Sequence, residues 1–278
     1  LRCLMRSFLI ALLLLISASP AMSCGGVDDA CETSLGSYFA ATPEGDGPHP
    51  LMIFFHGGGG WGDRVLKLRK KMTAEFTEAG WIVLGPNGLK RPGSRFGPGW
   101  SFISQFEPLR DEAAFAREMI EDARQRFGAD PSRVMIAGYS IGGSLTSKLA
   151  CDDPKLAFAF APVAGGFWRP HPTDCAGPVR LLHTHGWRDQ TVPLEGRPLS
   201  FPGVEQGDIY ETLARWREEN GCAKYRADKF VTDGPFWRRI WTHCEAGALE
   251  FALHPSGHKV PAEWPALAMS WFASLEAE

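Results

Sequence analysis

The chain has 278 residues, of which 44% are hydrophobic and 22% charged, with a formal net charge of -3. Those figures suit one globular domain with a large core. The charge forms no basic stripe, which argues against nucleic acid as a partner.

The first segment does not belong to the fold. "MRSFLIALLLLISASPAMSC" carries Arg6, then an apolar run from Phe8 to Ile16, then small residues. This is the pattern of a secretory signal peptide, with Met5 as a start and cleavage after Ser23. Residues 1–23 are therefore expected to leave, and 24–278 to form one domain. The apolar run is too short to span a bilayer comfortably. A competing reading makes Cys24 an acylated lipoprotein cysteine, but Ala21 stands where such a signal prefers leucine. Losing Arg2 and Arg6 takes the net charge from -3 to -5.

Strand-like apolar runs then alternate with helical patterns. "LMIFFH" (51–56) ends in glycines. Val65, Leu68, Met72 and Phe76 recur at helical spacing up to Gly80. "WIVLGP" (81–86) is the next strand, and Phe115, Met119, Ala123 and Phe127 mark a helix within 111–127. "RVMIAG" (133–138) precedes a helix through Ala150. "FAFAPVAGG" (158–166), "VRLLHTHG" (179–186) and "LEFALH" (249–254) follow, with a helix at Ile209, Leu213 and Trp216. Apolar runs separated by amphipathic helices predict an α/β fold, a mostly parallel sheet with helices on both faces. Ligands of such sheets bind at the carboxyl ends of the strands.

Six cysteines remain after Cys3 leaves with the signal: Cys24, Cys31, Cys151, Cys175, Cys222 and Cys244. Export to an oxidising compartment would let them close. Six allow fifteen pairings, and proximity in sequence suggests 24–31, 151–175 and 222–244. Buried free thiols are the alternative. No C-x-x-C zinc spacing occurs.

"GYSIGG" (138–143) contains G-x-S-x-G, a pattern that glycine-rich chains produce by accident. Its context gives it weight: Ser140 directly follows a strand and precedes a helix, as a nucleophile elbow requires. A serine hydroxyl needs a base, and the base needs an orienting carboxylate. In this type of fold the acid and then the histidine follow the serine in the chain. Asp189, just past the strand 179–186, is the expected acid. Asp174 precedes a strand, at the wrong end, and Asp208 is expected to cap a helix. Of His243, His254 and His258, the loop residue His258 is the expected base, and His254 a rim or packing residue. "HGGGG" (56–60) offers backbone N–H groups to an oxyanion, with Gly58 or Gly57 as one donor and Ile141 as the other. No Lys-Ser/Thr follows, so it is not read as a nucleotide loop.

Together, "HGGGG", "DPSRVMIAGYSIGGSLTSKLAC", "APVAGG", "HGWRDQTVP", "NGC" and "SGHKVP" resemble the secreted α/β-hydrolase esterases similar to polyhydroxybutyrate depolymerases and feruloyl or acetylxylan esterases. The resemblance runs from about Cys24 to the C-terminus. It implies an α/β-hydrolase catalytic domain over 24–278 without a large lid, the triad Ser140, Asp189 and His258, and the three neighbouring disulfides. The chain departs from the family at Tyr139 and Ile141 beside the nucleophile, at Val260, and in "GPGWSFISQFEP". These departures fall near the substrate.

The expected activity is ester hydrolysis through an acyl-enzyme on a polyester of the polyhydroxybutyrate type, with feruloyl or acetylxylan esters as the alternative. Peptide or thioester hydrolysis would use the same triad. A non-catalytic polysaccharide- or envelope-binding protein on a hydrolase scaffold is the reading from another class. No cofactor or metal is expected; the partner is an ester substrate, polymeric ones included. Trp61, Trp168, Trp187 and Trp264 are expected to ring the substrate rim, with Trp100 nearby. The expected location is secreted or periplasmic.

Overall fold

The computed structural model describes residues 24–277 except 95, 96, 201 and 202. The expected signal peptide lies outside the described residues.

In chain order the elements are β1 (Gly26–Glu32), β2 (Ser37–Ala41), β3 (His49–Phe55), α1 (Gly62–Leu68), α2 (Lys70–Glu78), β4 (Ile82–Pro86) and α3 (Glu112–Phe127). Then come β5 (Ala129–Tyr139), α4 (Ile141–Asp152), β6 (Ala159–Val163), β7 (Arg180–Gly186), β8 (Arg197–Pro198), β9 (Glu205–Gln206) and α5 (Ile209–Glu219). The last are β10 (Lys229–Asp233), β11 (Phe236–Trp241), β12 (Ala248–His254) and α6 (Trp264–Glu276). Ten strands form one sheet in the order β1-β2-β4-β3-β5-β6-β7-β12-β11-β10. From β4 to β12 the neighbours are parallel, and both edges are antiparallel. This is the α/β-hydrolase arrangement expected from the sequence, with antiparallel hairpins added at each edge.

Alternation along β3 divides the core. Leu51, Ile53 and Phe55 pack with α3, α4 and α5 residues such as Phe115, Leu145 and Trp216. Met52 and Phe54 pack with α1, α2 and α6 through Val65, Phe76 and Trp264. Side chains of this size each contribute roughly 1.5–3 kcal/mol when fully buried. Such burial on both faces is why these strands read as continuous apolar runs.

Several elements differ from expectation. The helix expected through 65–76 is two helices, α1 and α2, broken at Arg69 (φ -104°, ψ 36°). The strand expected over 158–166 ends at Val163, because Ala164 turns to φ 52°. Asp208 does cap α5, accepting from the Tyr210 and Glu211 N–H groups. Disulfides join Cys24–Cys31, Cys151–Cys175 and Cys222–Cys244. They pin the chain before β1, the end of α4 and the turn after α5.

Candidate active site

Ser140 sits between β5 and α4 with φ 59° and ψ -123°. That backbone is costly for a residue with a side chain and persists only where its surroundings enforce it. Here the enforcement is close packing. A Cβ on Gly142 would lie 2.2 Å from the Phe55 carbonyl oxygen, and one on Gly138 2.4 Å from the Gly142 oxygen. The Ser140 N–H donates to Val163 O at 2.9 Å, tying the turn to β6.

Asp189 follows β7, and His258 follows β12, its parallel neighbour. The two loops are joined by backbone bonds: Trp187 N–H to His254 O at 2.7 Å, and Arg188 N–H to Ser256 O at 3.1 Å. Asp189 Oδ1 accepts from the Thr191 and Val192 N–H groups at 2.9 and 2.8 Å. Its Oδ2 lies 2.7 Å from His258 Nδ1, and His258 Nε2 lies 2.9 Å from Ser140 Oγ. With neutral imidazole, Nδ1–H donates to the carboxylate and Nε2 accepts from the hydroxyl, the arrangement a general base needs. Burial alone would raise the Asp189 pKa, but the His258 and Val192 hydrogen bonds outweigh it. The carboxyl is held below its ordinary value.

Neither His254 nor His243 takes the place of His258. His254 is buried, accepts from the Ser256 N–H at 3.3 Å, and is pushed down to about 4 by desolvation. His243 is exposed and pairs with Asp228 at 3.0 Å. His185, fully buried, reaches Val192 O at 2.9 Å and so supports the loop that holds Asp189. Among the described residues no cluster of three or more His, Cys, Asp or Glu side chains is arranged for a metal ion.

Residues 37–200 match the family model described as Phospholipase/Carboxylesterase. The chain belongs to this family of α/β-hydrolases. It is 25% identical over 195 residues to feruloyl esterase B of Piromyces equi, covering 64% of this chain and 34% of that protein. It is 25% identical over 136 residues to poly(3-hydroxyalkanoate) depolymerase C of Paucimonas lemoignei, covering 46% of this chain and 29% of that one. The matched region thus spans about a third of either curated relative. Among solved structures, an acetyl xylan esterase from Aspergillus awamori superposes with a TM-score of 0.58 at 18% identity. That likeness covers 85% of this chain and 93% of the other, and it bears on the fold.

In this carboxylesterase-family chain, a cleft of about 730 Å³ opens beside Ile141, the residue after Ser140. Gly58 and Ile141, the expected oxyanion donors, line it. Ile141 opens α4, where an N–H has no helical acceptor. A Cβ on Gly58 would lie 3.6 Å from the Ile141 side chain, so the two segments are adjacent. Trp100, Phe102, Phe106 and Trp168 form much of the wall. Trp168 stands edge-on to Phe102 with centroids 5.3 Å apart and donates to Ser144 Oγ at 3.1 Å. A buried Arg110–Glu112 pair backs the wall, with Glu112 accepting from the Ser101 N–H at 2.9 Å.

The expected tryptophan rim divides. Trp168 and Trp100 line the cleft, whereas Trp61 and Trp187 are exposed outside its lining. Trp264 is corrected: it is fully buried, opens α6 and packs on Phe54 at 5.8 Å, so it cannot touch substrate. Phe102, on the cleft wall, is a site residue that the sequence does not single out. It lies in "GPGWSFISQFEP", whose departure from the family pattern is the signal the sequence offers.

Proposed function

We propose that this chain is a serine carboxylesterase acting through Ser140, His258 and Asp189. The observation that carries the reading is the continuous hydrogen-bonded run of 2.9 and 2.7 Å through those side chains. His258 takes the Ser140 proton as Oγ attacks the ester carbonyl. The Ile141 N–H and an N–H of the 56–60 loop hold the oxyanion. His258 then protonates the departing alcohol, and water hydrolyses the acyl-enzyme by the same route. The cysteine pairs and the expected signal peptide support work in an exported compartment. Among the described residues no helix is long and apolar enough to cross a membrane.

The leaving oxygen must meet His258, so the alcohol lies on the side of the 254–258 loop. No residue of that loop or of the Asp189 loop lines the cleft. The cleft therefore takes the acyl part. Its volume far exceeds an acetyl group, and its aromatic walls favour a bulky apolar or aromatic acyl group of the feruloyl type. The second reading is a polyester of the polyhydroxybutyrate type, with successive units occupying the cleft; the matched depolymerase segment favours it.

A hydrolysis panel tests these readings: p-nitrophenyl esters of rising chain length, methyl ferulate, acetylated xylan and a hydroxybutyrate oligomer. We expect bulky acyl groups to be preferred and acetyl esters to be poor substrates. A fluorophosphonate should label the wild type and leave Ser140→Ala unlabelled. Equal labelling of both, or none, returns the protein to the non-catalytic binding class.

A further inference from the structure

The oxyanion loop holds a buried histidine that the triad does not use. His56 directly follows β3 and is 5% exposed. Its Nε2 faces the Gly88 N–H at 3.0 Å, and its Nδ1 faces the Gly57 carbonyl oxygen at 2.8 Å. An N–H can only donate and a carbonyl can only accept. Nε2 must therefore carry a lone pair and Nδ1 the hydrogen, which defines a single neutral tautomer. Desolvation pushes the His56 pKa down to about 4, and the Arg110 charge acts in the same direction, so this tautomer holds through neutral pH.

The Gly57 carbonyl has a second donor, the Gly60 N–H at 3.0 Å. Two donors thus turn it toward the His56 ring. In a trans peptide the carbonyl and the following N–H point in opposite directions. The Gly58 N–H is consequently turned away from His56, and Gly58 lines the cleft together with Ile141. No backbone acceptor takes that N–H among the described residues. The ring itself is braced. Trp100 packs on it with centroids 4.5 Å apart, and Trp100 Nε1–H donates to His56 O at 2.9 Å.

We propose that His56 is a positioning residue for the oxyanion site: by holding the Gly57 carbonyl it aims the Gly58 N–H at the developing negative charge. The proposal rests on the serine-esterase reading and selects Gly58 over Gly57 as donor. His56 touches no substrate atom and exchanges no proton in the reaction. Its effect belongs to the tetrahedral state, where the oxyanion forms, and not to ground-state binding.

Phenylboronic acid, which forms a tetrahedral adduct with a reactive serine, separates these cases. In His56→Leu, kcat should fall at least about 30-fold with KM within about threefold of wild type. The boronate inhibition constant should rise in step with the fall in kcat. His56→Asn should recover much of both, because its side-chain nitrogen reaches the place of Nδ1. A folded His56→Leu with unchanged kcat, or with lost kcat and unchanged boronate affinity, overturns the proposal. Should His56→Leu fail to fold, ¹⁵N NMR of the wild-type ring decides: hydrogen on Nδ1 supports the assignment, and hydrogen on Nε2 overturns it. Boronate binding that survives Ser140→Ala would sink the esterase reading itself, which is a different result from either His56 outcome.

Discussion

Tyr139 Oη donates to the backbone oxygen of His258 at 2.8 Å, and the two rings lie 4.8 Å apart. The residue before the proposed nucleophile therefore holds the loop of the proposed base. Tyr139→Phe keeps the ring and removes the donor. We expect a stability loss of about 1 kcal/mol and a several-fold lower kcat at unchanged KM. Steady-state kinetics beside a thermal melt would check this, and an unaltered kcat would show that the bond does not position His258.

Asp189→Asn keeps the shape of the acid while removing its charge and the acceptor that fixes the His258 tautomer. The expected fall in kcat is on the order of 10⁴-fold. The Asp189 carboxyl sits below its ordinary value, so its contribution to stability is present above the unfolded-state pKa. That contribution is lost only as pH falls through the lowered native one. The acid in the wild type thus stays ionised at pH values where an ordinary aspartate protonates. Single-turnover rates for the variant, measured beside its melting temperature, separate catalytic from structural loss.

His56 and His254 are both buried and neutral, each with its pKa lowered from 6.5 to about 4. Unfolding lets each bind a proton at pH values where the native state does not. Stability should therefore be full above about pH 6.5 and decline as pH falls toward 4, by up to about 3 kcal/mol for each residue. Urea unfolding at several pH values would measure the slope. His254→Gln should flatten it, and an unchanged slope would contradict the assignment.

The Cys151–Cys175 bridge closes a sequence separation of 24 residues and Cys24–Cys31 one of 7. On loop-entropy grounds the longer bridge contributes about 3 kcal/mol and the shorter one less. Replacing both Cys151 and Cys175 with serine should lower the melting temperature by roughly 5–10 °C. The same change at Cys24 and Cys31 should do less. Reversal of that order would point to native-state packing around Cys24 in place of chain entropy.

Phe102→Ala opens the aromatic wall of the cleft at its contact with Trp168. On the acyl-side reading, kcat/KM for an aromatic acyl ester should fall by about tenfold, the cost of losing one well-packed ring, while an acetyl ester is little affected. Equal loss on both substrates would place Phe102 in the support of the loop and not in selection.

The parallel centre of the sheet was readable because its strands are buried on both faces and appear as unbroken apolar runs. The elbow was readable because strand, glycine and helix pattern coincide around Ser140. The edges were not. β1 is exposed over most of its length and carries the acids Asp28, Asp29 and Glu32, and every residue of β10 is exposed, so neither displays the apolar run that identifies the others. β10 and β11 are joined by the two-residue turn Gly234-Pro235, and Gly234 is the one local mark of this hairpin in the sequence. The place of Trp264 shortly after His258 suggests a rim position, but its helical spacing points inward. The spacing of Trp264, Leu267, Ala268, Trp271, Phe272 and Leu275 marks the core face of a helix, and Pro265 marks its start. His56 escaped notice because tautomer and peptide orientation are properties of three-dimensional contacts, which no spacing encodes.

The cleft wall is supplied largely by one connection, the stretch between β4 and α3, and the proposed nucleophile, acid and base by turns after β5, β7 and β12. On that reading, most of the selectivity and the triad lie in different parts of the chain. Exchanging residues 101–109, while keeping the Gly88 and Trp100 contacts to His56, should redraw what the protein accepts without disturbing the proposed chemistry. A scaffold divided in this way lends itself to diversification by loop replacement, with the reacting trio carried along unchanged.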